Sequence, residues 1–514
     1  MKRRSIVLSC ILLFLFSLSA AYGDQSEIRI LHVNDFHGFA EPYQPLGSDG
    51  RVGGIGYLAA RADELRKEKP SLLLSAGDMI QGNNWANLSQ GESVIELMNG
   101  MGFDAMVLGN HEFDFGQEVL KKRISEARFP VLGANIEGPD ILQPYVINEV
   151  NGVRVALLGV VTEDVPVSTH PKNVTGLRFL SPIDTVEKYM MELRKKSDLI
   201  VVLSHIGHPV DRMLAERVKG IDVIVGGHSH TKVERPVKVG DTIIVQAWEY
   251  GKALGVLDLT LRNGKIIESE GHLEEIKPEA GKEDGKVSFI IEKYQQRMEA
   301  VLNQPAGSTD VDLDGERANV RKRETNFGNL ISDIMRKASK ADIAIMNGGG
   351  IRLSIKKGEI KVKDVYTALP FDNYIVAMKL TGRQIREALE HGVSAVEDRE
   401  GRFPQVSGLS FKYSPSDQRG SRIKEVSIAG QPIDPDQAYI VATNDFLAAG
   451  GDGYSAFGEA IRSSKDYAVI GGMLKGEKVV YSDSGKWLRD VVVEYLKEMK
   501  RVAPMVEGRI IEIY

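Results

Sequence analysis

Five short apolar runs, at 28–33, 72–74, 106–108, 199–203 and 223–225, are each followed at once by side chains able to bind a metal ion. The first leads into Asn34-Asp35-Phe36-His37 and the second into Gly77-Asp78. The others lead into Gly109-Asn110-His111-Glu112, Ser204-His205 and Gly226-Gly227-His228-Ser229-His230. An Asp-x-His pair arises readily by chance, and a lone histidine is more often a core or surface residue than a ligand. Five strand ends bearing one Asp-rich and His-rich set in succession are far less common. Imidazole with carboxylate suits divalent ions of the Zn, Mn or Co type, whereas carboxylate and carbonyl alone would suit Mg or Ca. The seven candidates Asp35, His37, Asp78, Asn110, His205, His228 and His230 exceed the needs of one ion. Two ions about 3.5–4 Å apart and bridged by a carboxylate would use them all, and Asp78 is the expected bridge. Such a centre activates a bound water and neutralises phosphoryl charge, so hydrolysis of a phosphate ester is the chemistry expected. His111 adjoins Asn110, and Asp114 three residues on can orient its imidazole and stabilise the protonated ring. The plainer role for Asp114 is a helix N-cap.

Those positions need a frame that delivers five strand ends to one place. Residues 27–270 alternate β-rich apolar runs with helical patterns such as 55–69 and 183–195, which predicts layered α/β structure. In layered α/β folds sites form beyond the carboxyl ends of strands, where loops converge. A charged stretch at 274–285 reads as a solvated connection. After it Phe289, Ile290, Tyr294, Met298 and Val301 recur at helical spacing, predicting a connecting helix over 286–303 that would serve as a hinge. From 305 to 514 the character changes, with Arg, Asn, Phe and Gly clusters in place of His; nine of the ten histidines precede residue 273. The reading is two domains, 27–270 and 305–514, joined by that helix.

Composition narrows the function classes. The chain is 42% hydrophobic and 26% charged, and its 52 glycines follow no triplet period, which excludes disorder and a collagen-like repeat. A net charge of −6 argues against a nucleic-acid partner. The single cysteine, Cys10, excludes cysteine metal sites, thiol catalysis and a disulfide framework. Lys2, Arg3 and Arg4 precede an apolar run at 6–18, and Ser19, Ala20, Ala21 and Gly23 follow, which is the pattern of a signal peptide over 1–23. The run is shorter than the ~20 residues a bilayer span needs. Its removal takes Cys10 away and moves the net charge from −6 to −9. The expectation is an exported, periplasmic protein with no stable membrane anchor.

The sequence resembles the secreted bacterial 5'-nucleotidases, together with the periplasmic UDP-sugar hydrolases. The resemblance is carried by Asn34-Asp35-Phe36-His37-Gly38, Gly77-Asp78-x-x-Gln81-Gly82, Gly109-Asn110-His111-Glu112-Phe113-Asp114 and Gly227-His228-Ser229-His230. It continues through 321–330 and Asn347-Gly348-Gly349-Gly350-Ile351-Arg352 to the run at 444–453. It implies a four-layered α/β-β-α metallophosphatase domain followed by a second mixed α/β nucleotide-binding domain. By resemblance Asp35, His37, Asp78 and His230 would hold one ion, and Asp78, Asn110, His205 and His228 the other. His111 with Asp114 is similar to the family's catalytic dyad. Phe371 and Phe446 match residues that sandwich the nucleobase, and Asp452 one that binds the nucleoside. Arg321, Asn347 and Arg352 match residues that bind phosphate and ribose. The sequence departs at His230, where the periplasmic hydrolase has Gln.

The expected partner is therefore a small nucleotide. The first reading is a 5'-nucleotidase acting on nucleoside 5'-phosphates, with ADP, ATP or UDP-sugars as further substrates. A 2',3'-cyclic-nucleotide 2'-phosphodiesterase with 3'-nucleotidase activity ranks below it, because that branch carries Asn at the place of Asp114. A catalytically silent exported nucleotide-binding or surface protein would be expected to have lost a ligand or the dyad, and none is missing.

Overall fold

Alternation along each strand decides the layers. The computed structural model describes residues 25–45, 49–138, 142–464, 468–470 and 473–513. The expected signal peptide, with Cys10, lies outside them. Five strands carry the metal-ligand candidates: β1 (Gln25–Val33), β2 (Ser71–Ser75), β3 (Ala105–Val107), β4 (Leu199–His205) and β5 (Val223–Gly226). The first three lie side by side and parallel in a six-stranded sheet, in the order 265–275, 253–262, β1, β2, β3, 131–132. The last two are parallel neighbours in a second six-stranded sheet, in the order 237–239, 242–246, β5, β4, 153–161, 145–150.

Ile28, Ile30, Leu72, Leu74 and Val107 of the first sheet share one core with Val155, Leu157, Val201, Leu203, Val223 and Val225 of the second. The intervening residues point the other way, as the two-residue period of a strand requires. Leu31, Val33, Leu73 and Met106 pack under helices that include α1 (Ile55–Glu68). Ala156, Ile200, Val202 and Ile224 pack under α2 (Pro182–Lys196) and its neighbour. The result is helix, sheet, sheet, helix: the four layers expected. α2 starts where Ser181 accepts a bond from the Asp184 amide and Pro182 occupies the first turn, and Arg194, Lys195 and Lys196 sit at its negative end.

The connecting helix α3 spans Gly285–Leu302 and is capped by Asp284, whose carboxylate accepts from the Val287 amide at 2.8 Å. Its packed stripe is Val287, Ile290, Tyr294 and Met298. Phe289 and Val301, counted in the apolar pattern, face solvent at 69% and 50% exposure. At about 100° per residue Phe289 falls more than a third of a turn from the middle of the stripe. Tyr294 donates to Glu96 (2.8 Å), and Lys293 pairs with the same carboxylate (2.7 Å), so α3 is bound to the helix Glu92–Met101.

Beyond α3 a five-stranded sheet, in the order 404–407, 343–347, 438–444, 374–381, 479–487, forms the centre of the second half. Ile343, Ile345, Val376, Met378 and Val441 fill the core on one face. Ala344, Met346, Ile375, Ala377 and Ala442 fill the core on the other, under the helix Asn326–Ser339. This is the mixed α/β unit expected. The two halves meet beside the segment that follows β2: Asn84 donates to the Lys363 carbonyl (3.0 Å) and the Thr367 hydroxyl (2.9 Å), and Asn87 to the Pro370 carbonyl (2.5 Å). Among the described residues no helix is long and apolar enough to cross a membrane.

Candidate metal centre and active site

The loops that leave β1, β2 and β5 turn immediately into left-handed backbone. Asp35 (φ 49°), His37 (51°), Asp78 (55°), His228 (73°) and His230 (54°) all adopt it, a conformation costing a non-glycine residue of order 1–3 kcal/mol. Bonds between loops hold it: the Asp35 amide donates to the Gly77 carbonyl and the His37 amide to the Asp78 carbonyl, both at 3.0 Å. Gly109 must be glycine, since a Cβ there would lie 2.2 Å from Asp78 Oδ1.

Two groups of ligand atoms result. Asp35, His37 and His230 lie within 4.8 Å of one another, as do Asp78, His205 and His228. Each group draws from both sheets of the sandwich. Asp78 Oδ2 stands 3.2 Å from His205 Nε2 and 3.7 Å from His37 Nε2, which puts it between the groups. Asn110 Oδ1 is 3.0 Å from His228 Nδ1 and so joins the second. All seven sequence candidates converge here.

The surroundings point one atom of each ligand inward. His37 Nδ1 faces the Gln81 carbonyl (2.8 Å) and His205 Nδ1 the Ala76 carbonyl (2.6 Å), so each ring donates from Nδ1 and presents Nε2. Asp35 Oδ2 accepts from Asn34 Nδ2 (2.7 Å) and the His228 amide (2.9 Å). Asp35 Oδ1 and His205 Nε2 are buried and lie 3.2 Å from His230 Nε2 and Asp78 Oδ2, respectively, without hydrogen-bond geometry. Buried polar atoms are rarely left so, and these sit among the donors two divalent ions require; the residues fit the metals. His228 is pushed down to about 3 by burial and by His205, the neutral form a ligand needs. His205 goes up to about 10: burial opposes the charge, and the Asp78 and Asp35 carboxylates outweigh it.

Two glutamates escape a spacing argument. Glu112 accepts from the amides of Asp78 (2.9 Å), Met79 (2.7 Å), Ile80 (3.2 Å) and Gly109 (2.6 Å), tying two ligand loops together. Glu249 faces His230 Nδ1 at 2.5 Å and is itself held by Lys252 at 2.6 Å. It thereby orients the one ligand at which the sequence departs from its resemblance.

His111 Nδ1 lies 2.6 Å from Asp114 Oδ2. Burial lowers the affinity of His111 for its proton, but Asp114 and Asp78 raise it more, so the ring stays protonated above its ordinary range. Asp114 does not act as an N-cap. Its other oxygen accepts from the Thr169 hydroxyl, and its carbonyl from Asn173 Nδ2 at 2.7 Å.

The second half supplies the opposite wall. Arg352 approaches His37 Nε2 to 3.3 Å and lies 5.7 Å from the Phe371 ring, which is itself 5.7 Å from the His111 ring. Arg321 is buried with Nε unpartnered, and burial together with Arg317 and Arg352 pushes it well below the usual guanidinium range. Three mutually repelling arginines make a site for an anion. Arg317 was not foreseen, although its place four residues before Arg321 was a usable signal. Farther in, Asn444 Nδ2 donates to Asn347 Oδ1 (3.0 Å) and Asn347 Nδ2 to Asp452 Oδ2 (2.7 Å). The Phe446 ring covers Gly451, where a Cβ would come within 2.2 Å of it. Among the described residues the Phe371 and Phe446 rings do not stack on each other.

Residues 28–232 match the calcineurin-like phosphoesterase family model, and 305–459 the 5'-nucleotidase C-terminal domain. The chain is 32% identical to a 5'-nucleotidase of Bos taurus over 94% of its own length and 90% of that protein. The chain belongs to the 5'-nucleotidase family. It is also 34% identical, over 95% of its length, to the trifunctional nucleotide phosphoesterase protein YfkN of Bacillus subtilis, of which it spans 35%. A 5'-nucleotidase precursor from Thermus thermophilus has the same fold, with a TM-score of 0.86 at 35% identity over 95% of this chain and 99% of that one. Like its family, the protein is a phosphoric monoester hydrolase dependent on divalent metal ions, and the two ligand groups are where such ions fit.

Proposed function

We propose that the protein hydrolyses nucleoside 5'-monophosphates to nucleoside and phosphate, outside the cytoplasmic membrane. The carrying observation is that Arg352, against His37, brings an anion site onto one ligand group, and Phe371, against His111, brings an aromatic face onto the His111–Asp114 pair beside it. Asp35, His37, Asp78 and His230 would hold one ion, and Asp78, Asn110, His205 and His228 the other. When bound, the ions supply an activated water and neutralise phosphoryl charge.

The chain's own residues do the rest. Arg317, Arg321 and Arg352 hold the phosphoryl oxygens. Asp114 keeps a proton on His111 Nδ1, so the protonated ring donates from Nε2 to the leaving 5'-oxygen. Phe371 and Phe446 hold the base, and Asp452, fixed by Asn347, accepts from the ribose hydroxyls. Domain limits at 27–270 and 305–514 suit this division of labour, with metals on one unit and nucleoside on the other. Export rests on the pattern from Lys2 to Gly23.

Purified protein with Mn²⁺, Co²⁺ or Zn²⁺ should release phosphate from AMP; no release from AMP, ADP, ATP or a UDP-sugar with any of these metals would refute the reading. The name of the Bacillus relative, a trifunctional nucleotide phosphoesterase, favours more than one phosphoesterase activity, and hydrolysis of 2',3'-cyclic nucleotides is the second activity to test. Faster turnover of 2',3'-cyclic AMP than of AMP would make that activity the principal one.

A further inference from the structure

The segment 164–174 touches both halves of the molecule within five residues. On one side Thr169, 1% exposed, donates its hydroxyl to Asp114 Oδ1, and Asn173 Nδ2 donates to the Asp114 carbonyl at 2.7 Å. These two contacts fix the carboxylate that faces His111. On the other side His170 Nε2 lies 3.3 Å from Asp445 Oδ2 in the second half. His170 Nδ1 accepts from the Lys172 amide at 3.3 Å, which leaves the ring proton on Nε2, the nitrogen nearer Asp445, with no other hydrogen-bond partner there.

Asp445 stands at the root of the nucleoside side. Its other oxygen accepts from the Tyr374 amide at 3.0 Å, Phe446 follows it, and Asn444 before it holds Asn347 and hence Asp452. The short helix Val165–Ser168 packs against Gly451–Gly453, the turn that carries Asp452.

We propose that this segment couples seating of the 444–453 loop to alignment of the His111–Asp114 pair, with Thr169 and His170 as positioning residues. The inference rests on the nucleotidase reading above. Thr169 and His170 are neighbours in sequence, so little slack separates the two contacts. When the nucleoside loop sits against His170, Thr169 is held where it locks Asp114; without that contact Asp114 is free to turn away from His111. A substrate with no nucleoside gains nothing from the link.

The test compares AMP with p-nitrophenyl phosphate in the metal-loaded, full-length protein. His170→Ala should lower kcat on AMP by about tenfold, leave the p-nitrophenyl phosphate rate within about twofold, and leave metal content and melting temperature unchanged. His170→Gln, which keeps an N–H toward Asp445, should restore most of the AMP rate. Thr169→Val should lower kcat on AMP with little change in KM, leave the p-nitrophenyl phosphate rate within about twofold, and be rescued by Thr169→Ser. An equal effect of His170→Ala on both substrates, or none on either, overturns the coupling, as does full activity of Thr169→Val. Wild-type protein that turns over p-nitrophenyl phosphate but not AMP would sink the nucleotidase reading and the nucleoside half of the coupling with it.

Discussion

Glu112 never faces the ligand groups, yet four amides of the ligand-bearing loops converge on its carboxylate. Glu112→Gln turns an N–H toward two of those donors. It should cost about 2–4 kcal/mol of stability and weaken metal binding by about 10–100-fold, read by thermal melting and by calorimetric titration of the metal-free protein. Asp114→Asn should act on turnover alone. It leaves the ligand groups intact while removing the charge that keeps His111 protonated, so kcat falls by about 10²-fold or more with metal content unchanged by elemental analysis. Asp211 gives a pH signature. It is fully buried and accepts from the Ser204 hydroxyl at 2.5 Å, and burial pushes its carboxyl from 3.8 to about 7. A carboxyl that the fold keeps neutral costs stability as pH rises from its unfolded value through its folded one. Asp211→Asn should therefore gain on wild type by about 2–4 kcal/mol between pH 4 and pH 8, measured by denaturant unfolding at both ends. An advantage that shrinks with rising pH would contradict this.

Elements explain what could be read in advance. The grouping of the metal-ligand candidates was legible because each lies at or within a few residues of a strand end, so spacing along the chain stands in for spacing in space. Apolar runs at 28–33 and 223–225 sit within Gln25–Val33 and Val223–Gly226, and 183–195 lies inside the capped helix Pro182–Lys196. Glu249 and Thr169 were not legible, because their roles depend on contacts with His230 and Asp114 that lie 19 and 55 residues away in sequence. Arg317 was half legible through its spacing. The connecting helix shows the limit of periodicity: hydrophobic identity placed Phe289 in the pattern, and only the neighbouring helix decides which side is covered. That helix is pinned to Glu92–Met101 through Glu96. Glu96→Ala should remove the partner of Lys293 and one of the two carboxylates, with Glu92, that accept from Tyr294, and cost about 1–2 kcal/mol in unfolding experiments, with KM and kcat for AMP unchanged.

At the scale of the molecule the division is between a sandwich that holds charge and a second unit that presents arginine and aromatic side chains to it. Phe446→Ala should weaken nucleoside binding by about 1–3 kcal/mol, measured by titration with adenosine, and leave metal affinity untouched. The origin of the ligands has a mechanical side. Asp35 and His37 leave the first sheet and His230 the second; Asp78 leaves the first and His205 and His228 the second. Each ion would thus be a cross-brace clamped over the seam where the two sheets meet, closing the rim of the sandwich as a staple closes two pages.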